Sequence, residues 1–330
     1  MSTSTRDPEH YQIETHRPAD FESFWSANLE AAARLPLDPE LRYDELRSTP
    51  DVEVYDIHYT SLDGVRISGW YAHPRESLVA PPYPGLAIVP GYISDPVIPK
   101  SWAKKGYAVL AVAPRGKVRS RSQVDAKYPG LLVTDSVDRN TYGYRPFYVD
   151  ACRGVDFLLS RPEVDHARIG VHGSSQGGAL TVIVSALRRD VVVCGAAGAP
   201  YLAAHLVAAE LTNSYPYHEI TEHLRVHPEE EAAIRETLPY FDIINFAPMI
   251  TAPMFVYLGL EDDVCPPETG FALVRAMTCP KEVITTPRAA HDSGRHFIGP
   301  KIDAFLAGHL KPVAVAGSEF RKVPSTEALA

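Results

Sequence analysis

The spacing of apolar residues changes along this chain, and each change marks a different kind of element. Asp20-Phe21-Glu22-Ser23-Phe24-Trp25 opens a stretch with helical spacing that runs on through Leu29. It predicts an N-terminal helix docked through Phe21, Phe24 and Trp25. Two alternating runs follow, Val52 to Tyr59 and Val65 to Tyr71, with Asp63-Gly64 supplying a turn between them. That pattern predicts an antiparallel hairpin. Beyond it the apolar runs are short and continuous: Leu86 to Val89, Tyr107 to Val112, Ile169 to Val171, Val191 to Gly195 and Met254 to Leu258. Continuous runs suit strands buried on both faces. Helical patterns such as Val149 to Leu159 and Ala179 to Leu187 lie between them. Strand and helix in alternation predict a mostly parallel sheet covered on both sides.

Two segments interrupt the rhythm. Residues 117–144 are polar and turn-rich and read as a long excursion. Residues 201–238 read as helical, with Pro228-Glu229-Glu230-Glu231 marking a helix start. Proline suits the first turn there, and acids suit the positive end of the helix dipole. Without internal repeats, one domain over 1–330 is the simplest organisation. It has an N-terminal helix and hairpin at about 18–75, a small cap-like insertion at about 201–238 and a flexible tail at about 312–330.

Composition narrows the class. Apolar residues are 45% and charged residues 22%, enough for a sizeable core. A net charge of −9 argues against nucleic acid as a partner. The first residues are polar and charged, and no run approaches the length of a membrane helix. The expectation is a cytoplasmic protein with no membrane association. Cys152, Cys194, Cys265 and Cys279 are widely spaced, which favours reduced buried thiols.

The strongest chemical signal is Gly173-Ser174-Ser175-Gln176-Gly177, directly after a strand and before an apolar helix. This G-x-S-x-G context lifts a serine hydroxyl above a sheet, with glycines leaving room for close approach. It predicts the α/β-hydrolase fold, with Ser175 as nucleophile. Such a serine needs a base, and the base needs an acid to orient it. In this fold acid and base follow the serine in that order, each on a loop after a strand. His291 follows the strand Glu282 to Thr286, and the acid candidates lie in Gly259-Leu260-Glu261-Asp262-Asp263. His172 reads as a packed histidine. His296 is the second candidate base, already inside the last helix. Oxyanion donors are expected from the backbone N–H of Gln176 and, in Pro90-Gly91-Tyr92-Ile93-Ser94, of Tyr92. No cluster shows metal-ligand spacing, so neither metal nor other cofactor is expected. Arg115, Lys117, Arg119 and Arg121 read as a solvated loop face, with an anion-attracting face as the alternative.

Together these pieces resemble the acetyl xylan esterase / cephalosporin C deacetylase family of carbohydrate esterases, from about residue 20 to about residue 310. The resemblance includes the helix around Phe21 and Trp25, Val52 to Trp70, Ser175 to Gly178 and Tyr240 to Phe246. Its most specific run is Gly259-Leu260-Glu261-Asp262-Asp263-Val264-Cys265-Pro266-Pro267, like the family's G-L-x-D-x-x-C-P-P. That match selects Asp262 as the acid, which spacing alone leaves open. The resemblance implies a deacetylase acting on a small-molecule ester such as an acetylated sugar or antibiotic, and a homo-oligomer, in the family often a hexamer. Departures stand beside it: Arg115-Gly116-Lys117 for R-G-Q, His291-Asp292 for H-E, and Pro90-Gly91-Tyr92 for H-G-Y. Arg115, Lys117 and Asp292 are therefore candidate pocket or supporting residues. The departures point to a divergent member acting on another small ester in secondary metabolism. Two further readings are an oligopeptidase-like peptidase, which usually carries a propeller domain this chain lacks, and a non-catalytic binding protein, which usually loses a triad member.

Overall fold

A computed structural model describes residues 7–92, 94–123, 126 and 129–317. One nine-stranded sheet organises the chain. Its strands are β1 (Glu40–Tyr43), β2 (Val52–Thr60), β3 (Arg66–Pro74), β4 (Tyr83–Ile88), β5 (Ala108–Ala113), β6 (Val164–Ser174), β7 (Val192–Gly198), β8 (Met254–Gly259) and β9 (Lys281–Thr286). Their order is β1-β2-β3-β5-β4-β6-β7-β8-β9. The first three strands and the β3–β5 pair are antiparallel, and every pairing from β5 to β9 is parallel.

The helices are α1 (Phe21–Ala33), α2 (Lys100–Lys104), α3 (Tyr144–Leu159), α4 (Gln176–Leu187), α5 (His205–Leu211), α6 (His218–Val226), α7 (Glu231–Thr237), α8 (Ile243–Phe246), α9 (Pro267–Ala276) and α10 (Arg295–Leu310). They cover both faces of the sheet. β5 shows why its sequence is continuously apolar: Ala108, Leu110 and Val112 enter one core, and Val109 and Ala111 enter the other. On the first face Leu180 and Ile183 of α4 and Phe147 and Val155 of α3 join the larger core. On the second face Ile302, Phe305 and Leu306 of α10 cover Phe255 and Cys194.

The predicted N-terminal helix is α1. Trp25 stacks on Tyr148 at 5.5 Å, and its indole N–H donates to Tyr240 O at 2.9 Å. Burying an aromatic of this size contributes about 3–5 kcal/mol against truncation to alanine. The predicted hairpin is β2 and β3, with Asp63 and Gly64 both at positive φ in the turn.

Several elements differ from the sequence expectation. α3 begins at Tyr144, five residues before the predicted Val149, because Tyr144, Phe147 and Tyr148 are already buried and Pro146 is tolerated in a first turn. β1 carried no apolar signal, since its four residues are largely exposed. Pro228–Glu230 forms a 3-10 turn and the helix proper starts at Glu231. Residues 117–144 hold two short 3-10 turns, Val118–Gln123 and Leu131–Val133. The expected tail lies, from residue 318 onward, outside the described residues. Among the described residues no helix is long and apolar enough to cross a membrane. All four cysteines are buried and unpaired.

Candidate active site

Strand order reverses around β4: the chain steps from β4 outward to β5, then back across to β6 on its other side. Open α/β sheets hold ligands at such a point, outside the carboxyl ends of the strands. Here Ile88 of β4 pairs with His172 of β6, and the Val89 N–H donates to His172 O at 3.0 Å. Pro90-Gly91-Tyr92 and Gly173-Ser174-Ser175 therefore leave the sheet side by side.

Ser175 occupies the turn between β6 and α4 with φ 62° and ψ −122°. A non-glycine residue held there costs on the order of 1–3 kcal/mol, so surrounding bonds must fix it. Its N–H donates to Gly198 O at 2.9 Å, and its carbonyl accepts from Ala179 at 3.0 Å and Tyr201 at 3.1 Å. Gly177 is required by close approach, since a Cβ there would stand 2.4 Å from Val89 O.

The candidate acid and base, Asp262 and His291, come from the next two loops of the same sheet edge. Leu260 N–H donates to Thr286 O at 3.2 Å and Glu261 N–H to Ala289 O at 2.9 Å, tying the β8 loop to the β9 loop. The fit is close enough that a Cβ on Gly259 would sit 2.1 Å from Ala290 O. This brings the His291 Nδ1 to 2.8 Å from Asp262 Oδ2. Asp262 is buried, and its other oxygen accepts from the Val264 and Cys265 N–H groups, each at 2.9 Å. A carboxylate is an acceptor only, so His291 carries its proton on Nδ1 and leaves Nε2 free to act as a base. Cys265, buried three residues beyond Asp262, lies beside Ser175. Burial pushes its thiol well above the usual range, and the charge of Asp262 adds to the effect. The sequence reading took Cys265 as one of four buried thiols and as part of the family-like run, with no link to Ser175.

Tyr92 and Gln176 flank the serine on the strands' exit side. Neither backbone N–H donates to another group among the described residues. The Gln176 N–H is one of the unpaired donors at the start of α4. The Tyr92 side chain is anchored away from the serine: its hydroxyl donates to Glu219 Oε1 at 2.6 Å and accepts from the Leu131 N–H at 2.9 Å. Glu219 Oε2 accepts from the Leu132 N–H at 2.9 Å. Burial raises the Glu219 carboxyl to about 7, opposed by its hydrogen bond from Tyr92. Sequence reasoning did not single out Glu219, because nothing in α6 distinguishes it from its solvated neighbours. Ile93, in the expected oxyanion loop, lies outside the described residues.

The basic run is not a solvated face, which corrects the sequence reading. Arg115 and Lys117 are 4% and 6% exposed. Arg115 holds Asp150 of α3 through two bonds of 2.8 Å and reaches Leu62 O at 2.9 Å, so it supports the fold and its charge is spent there. Arg119 pairs with Asp56 and lies over the Trp70 ring, and Arg121 alone of the four is exposed. Arg115, Lys117 and Arg119 each meet a partner outside the run, which no local pattern reveals. Lys117 reaches the loop after β4, donating to Gly91 O at 2.5 Å and to Tyr92 O. Asp292 is exposed and accepts from the Gly294 N–H at 3.3 Å, bracing the His291 loop.

His172 binds Ala196 O at 3.0 Å, and burial lowers its pKa. His296 lies exposed in α10. Ligand atoms of His227, Glu229 and Glu230 gather within 4.8 Å on the cap surface, a grouping the sequence reading did not find. Hydrogen bonds from His223 to Glu230 at 2.7 Å and between His227 and Glu229 at 3.3 Å account for it.

A strained serine on a strand-to-helix turn, followed in chain order by an aspartate and the histidine it holds, is the arrangement of the α/β-hydrolase fold. The comparisons make the family specific. An acetyl xylan esterase family model matches residues 5–309, and the chain belongs to that family. The acetyl xylan esterase from Paenibacillus sp. R4 has a TM-score of 0.85 at 30% identity, covering 94% of this chain and 100% of that one. Acetyl xylan esterase 1 from Thermoanaerobacterium sp. JW/SL YS485 shares the fold at 24% identity, with a TM-score of 0.80 over 91% of this chain and 96% of that one. The acetyl esterase Axe7A of Xylanibacter ruminicola is 29% identical over 301 residues, 86% of this chain. This chain spans 66% of that relative's length.

Proposed function

We propose that this chain is a serine carboxylic ester hydrolase that removes acetyl or another small acyl group from a small molecule such as an acetylated sugar or antibiotic. The observation that carries the reading is the 2.8 Å pairing of His291 with the buried Asp262, beside a serine held at φ 62°. Ser175 Oγ attacks the acyl carbon while His291 Nε2 takes its proton. The negative oxygen of the tetrahedral intermediate is held by the Tyr92 and Gln176 N–H groups. His291 returns the proton to the departing alcohol, leaving an acyl-enzyme. Water then attacks that ester, its proton passing to His291 and back to Ser175 as the acid is released. Asp262 stabilises the imidazolium and fixes its tautomer. Family membership and the acetyl esters named for the relatives support the acyl group.

Hydrolysis of p-nitrophenyl acetate by the wild type beside Ser175→Ala tests the reading. Turnover falls by at least about 10³-fold in the variant if it holds. Equal rates in both, or an inactive wild type, would remove it. The buried Lys117, bonded to the Gly91–Tyr92 loop, and the exposed Asp292 favour a second reading, a different small ester used in secondary metabolism. Rates on acetylated xylose against longer acyl esters separate the two, and clear preference for the sugar would sink the second.

A further inference from the structure

Lys117 stands where the resembling family has glutamine, and its surroundings are unusual for an ammonium group. It is buried, and among the described residues no carboxylate forms an ion pair with it. Asp95 is the charged group that acts on it, and the Tyr92 ring lies 5.9 Å away. Its ammonium donates instead to two backbone carbonyls, Gly91 O at 2.5 Å and Tyr92 O.

The Gly91 carbonyl and the Tyr92 N–H are opposite ends of one planar peptide unit. Fixing the oxygen fixes the direction in which the N–H points. A cation bonded to that oxygen also polarises the unit and strengthens the N–H as a donor, by roughly 10–30% per bond in condensed-phase estimates. The second bond, to Tyr92 O, holds the next peptide plane as well.

The base from which Lys117 reaches is itself rigid. Its N–H donates to Pro114 O at 3.1 Å, and its carbonyl accepts from the Ser120 N–H at 2.8 Å. Ser120 Oγ donates to Ala113 O at 2.7 Å and accepts from the Ser68 N–H at 3.0 Å. One residue before the turn glycine, Arg115 is locked to Asp150. The oxyanion loop is thus gripped twice, through the Tyr92 hydroxyl by the cap and through its carbonyls by Lys117.

We propose that Lys117 is a positioning residue: its ammonium orients and polarises the Gly91–Tyr92 peptide so that the Tyr92 N–H meets the developing oxyanion. This rests on the hydrolase reading above. It explains why an ammonium is kept in a site where burial brings its pKa down to about 8. Loss of that proton removes the polarising charge, so the rate falls as pH rises through about 8.

The test is the pH dependence of kcat and KM on p-nitrophenyl acetate for the wild type, Lys117→Gln and Lys117→Met. In Lys117→Met, kcat is expected to fall about 10- to 100-fold, less than the loss of an oxyanion donor outright, with KM changed less than about threefold. Lys117→Gln, which keeps a neutral donor, recovers part of the rate. The wild-type fall in kcat near pH 8 disappears in both variants. Wild-type kcat in Lys117→Met, a loss carried by KM alone, or an alkaline limb unchanged in the variants would overturn the inference while leaving the hydrolase reading intact. A wild type without Ser175-dependent turnover removes that reading and this inference together. Should Lys117→Met not fold, Lys117→Gln and the wild-type alkaline limb still decide it.

Discussion

The two sides of the Ser175 site are built in different ways. On one side, the loops that carry Asp262 and His291 follow adjacent parallel strands and are joined by backbone bonds. One glycine, Gly259, lets them meet. On the other side, Gly91 and Tyr92 are held by side chains of other segments: Lys117, 26 residues on from Gly91, and Glu219, 127 residues on from Tyr92. The first side takes its geometry from the sheet. The second takes it from the buried ionisable side chains of Lys117 and Glu219.

Asp262→Asn breaks the sheet-built side with the largest effect. Asp262 Oδ1 must keep accepting two backbone N–H groups, so the asparagine oxygen stays there and its NH2 replaces Oδ2. That group donates toward His291 Nδ1, which must then accept and carry its proton on Nε2. The base is lost with the fold intact, and kcat should drop by about 10⁴-fold with little change in melting temperature. A drop within tenfold would show that the pair does not set the tautomer. The Lys117 variants described above give the intermediate effect on the other side.

Glu219→Gln sharpens the comparison with the smallest effect, one of stability. A carboxyl raised to about 7 by burial favours the protonated form in the native state. Both states are protonated below the ordinary value of about 4.5, and the native state loses stability as pH rises from there through about 7. Glutamine does not titrate. The melting temperature of the variant relative to the wild type should therefore rise by a few degrees between pH 5 and pH 8. A difference that is flat or falls with pH would mean that Glu219 is not held in an unfavourable charged state.

This contrast also explains what could be read from the chain. Strands such as β5 announced themselves because both faces are buried. The serine turn was legible because the steric demands of Ser175 and Gly177 are local. His291 followed from chain order. Asp262 was separable from Asp263 only through the family-like run around Cys265 and Pro266, since both fall on the same loop. The supporting side was legible only through the resemblance, which marked Arg115 and Lys117 as candidates without showing what they hold. Arg115, Lys117 and Arg119 look like a polar surface in sequence, and their partners Asp150, Gly91 and Asp56 are brought to them by the fold alone. Glu219 sits in an amphipathic helix with a second acid, Glu222, and only tertiary packing separates the two. β1 was missed for the opposite reason: it is an exposed edge strand held by backbone pairing to β2.

The central claim is that the turn at residues 173–177 presents an activated serine. Labelling the intact wild type with a fluorophosphonate, with the adduct located by peptide mass spectrometry, tests it most directly. The account predicts one adduct per chain, on Ser175, and none in Ser175→Ala. An unlabelled wild type, or an adduct on another residue that survives in the variant, would contradict it.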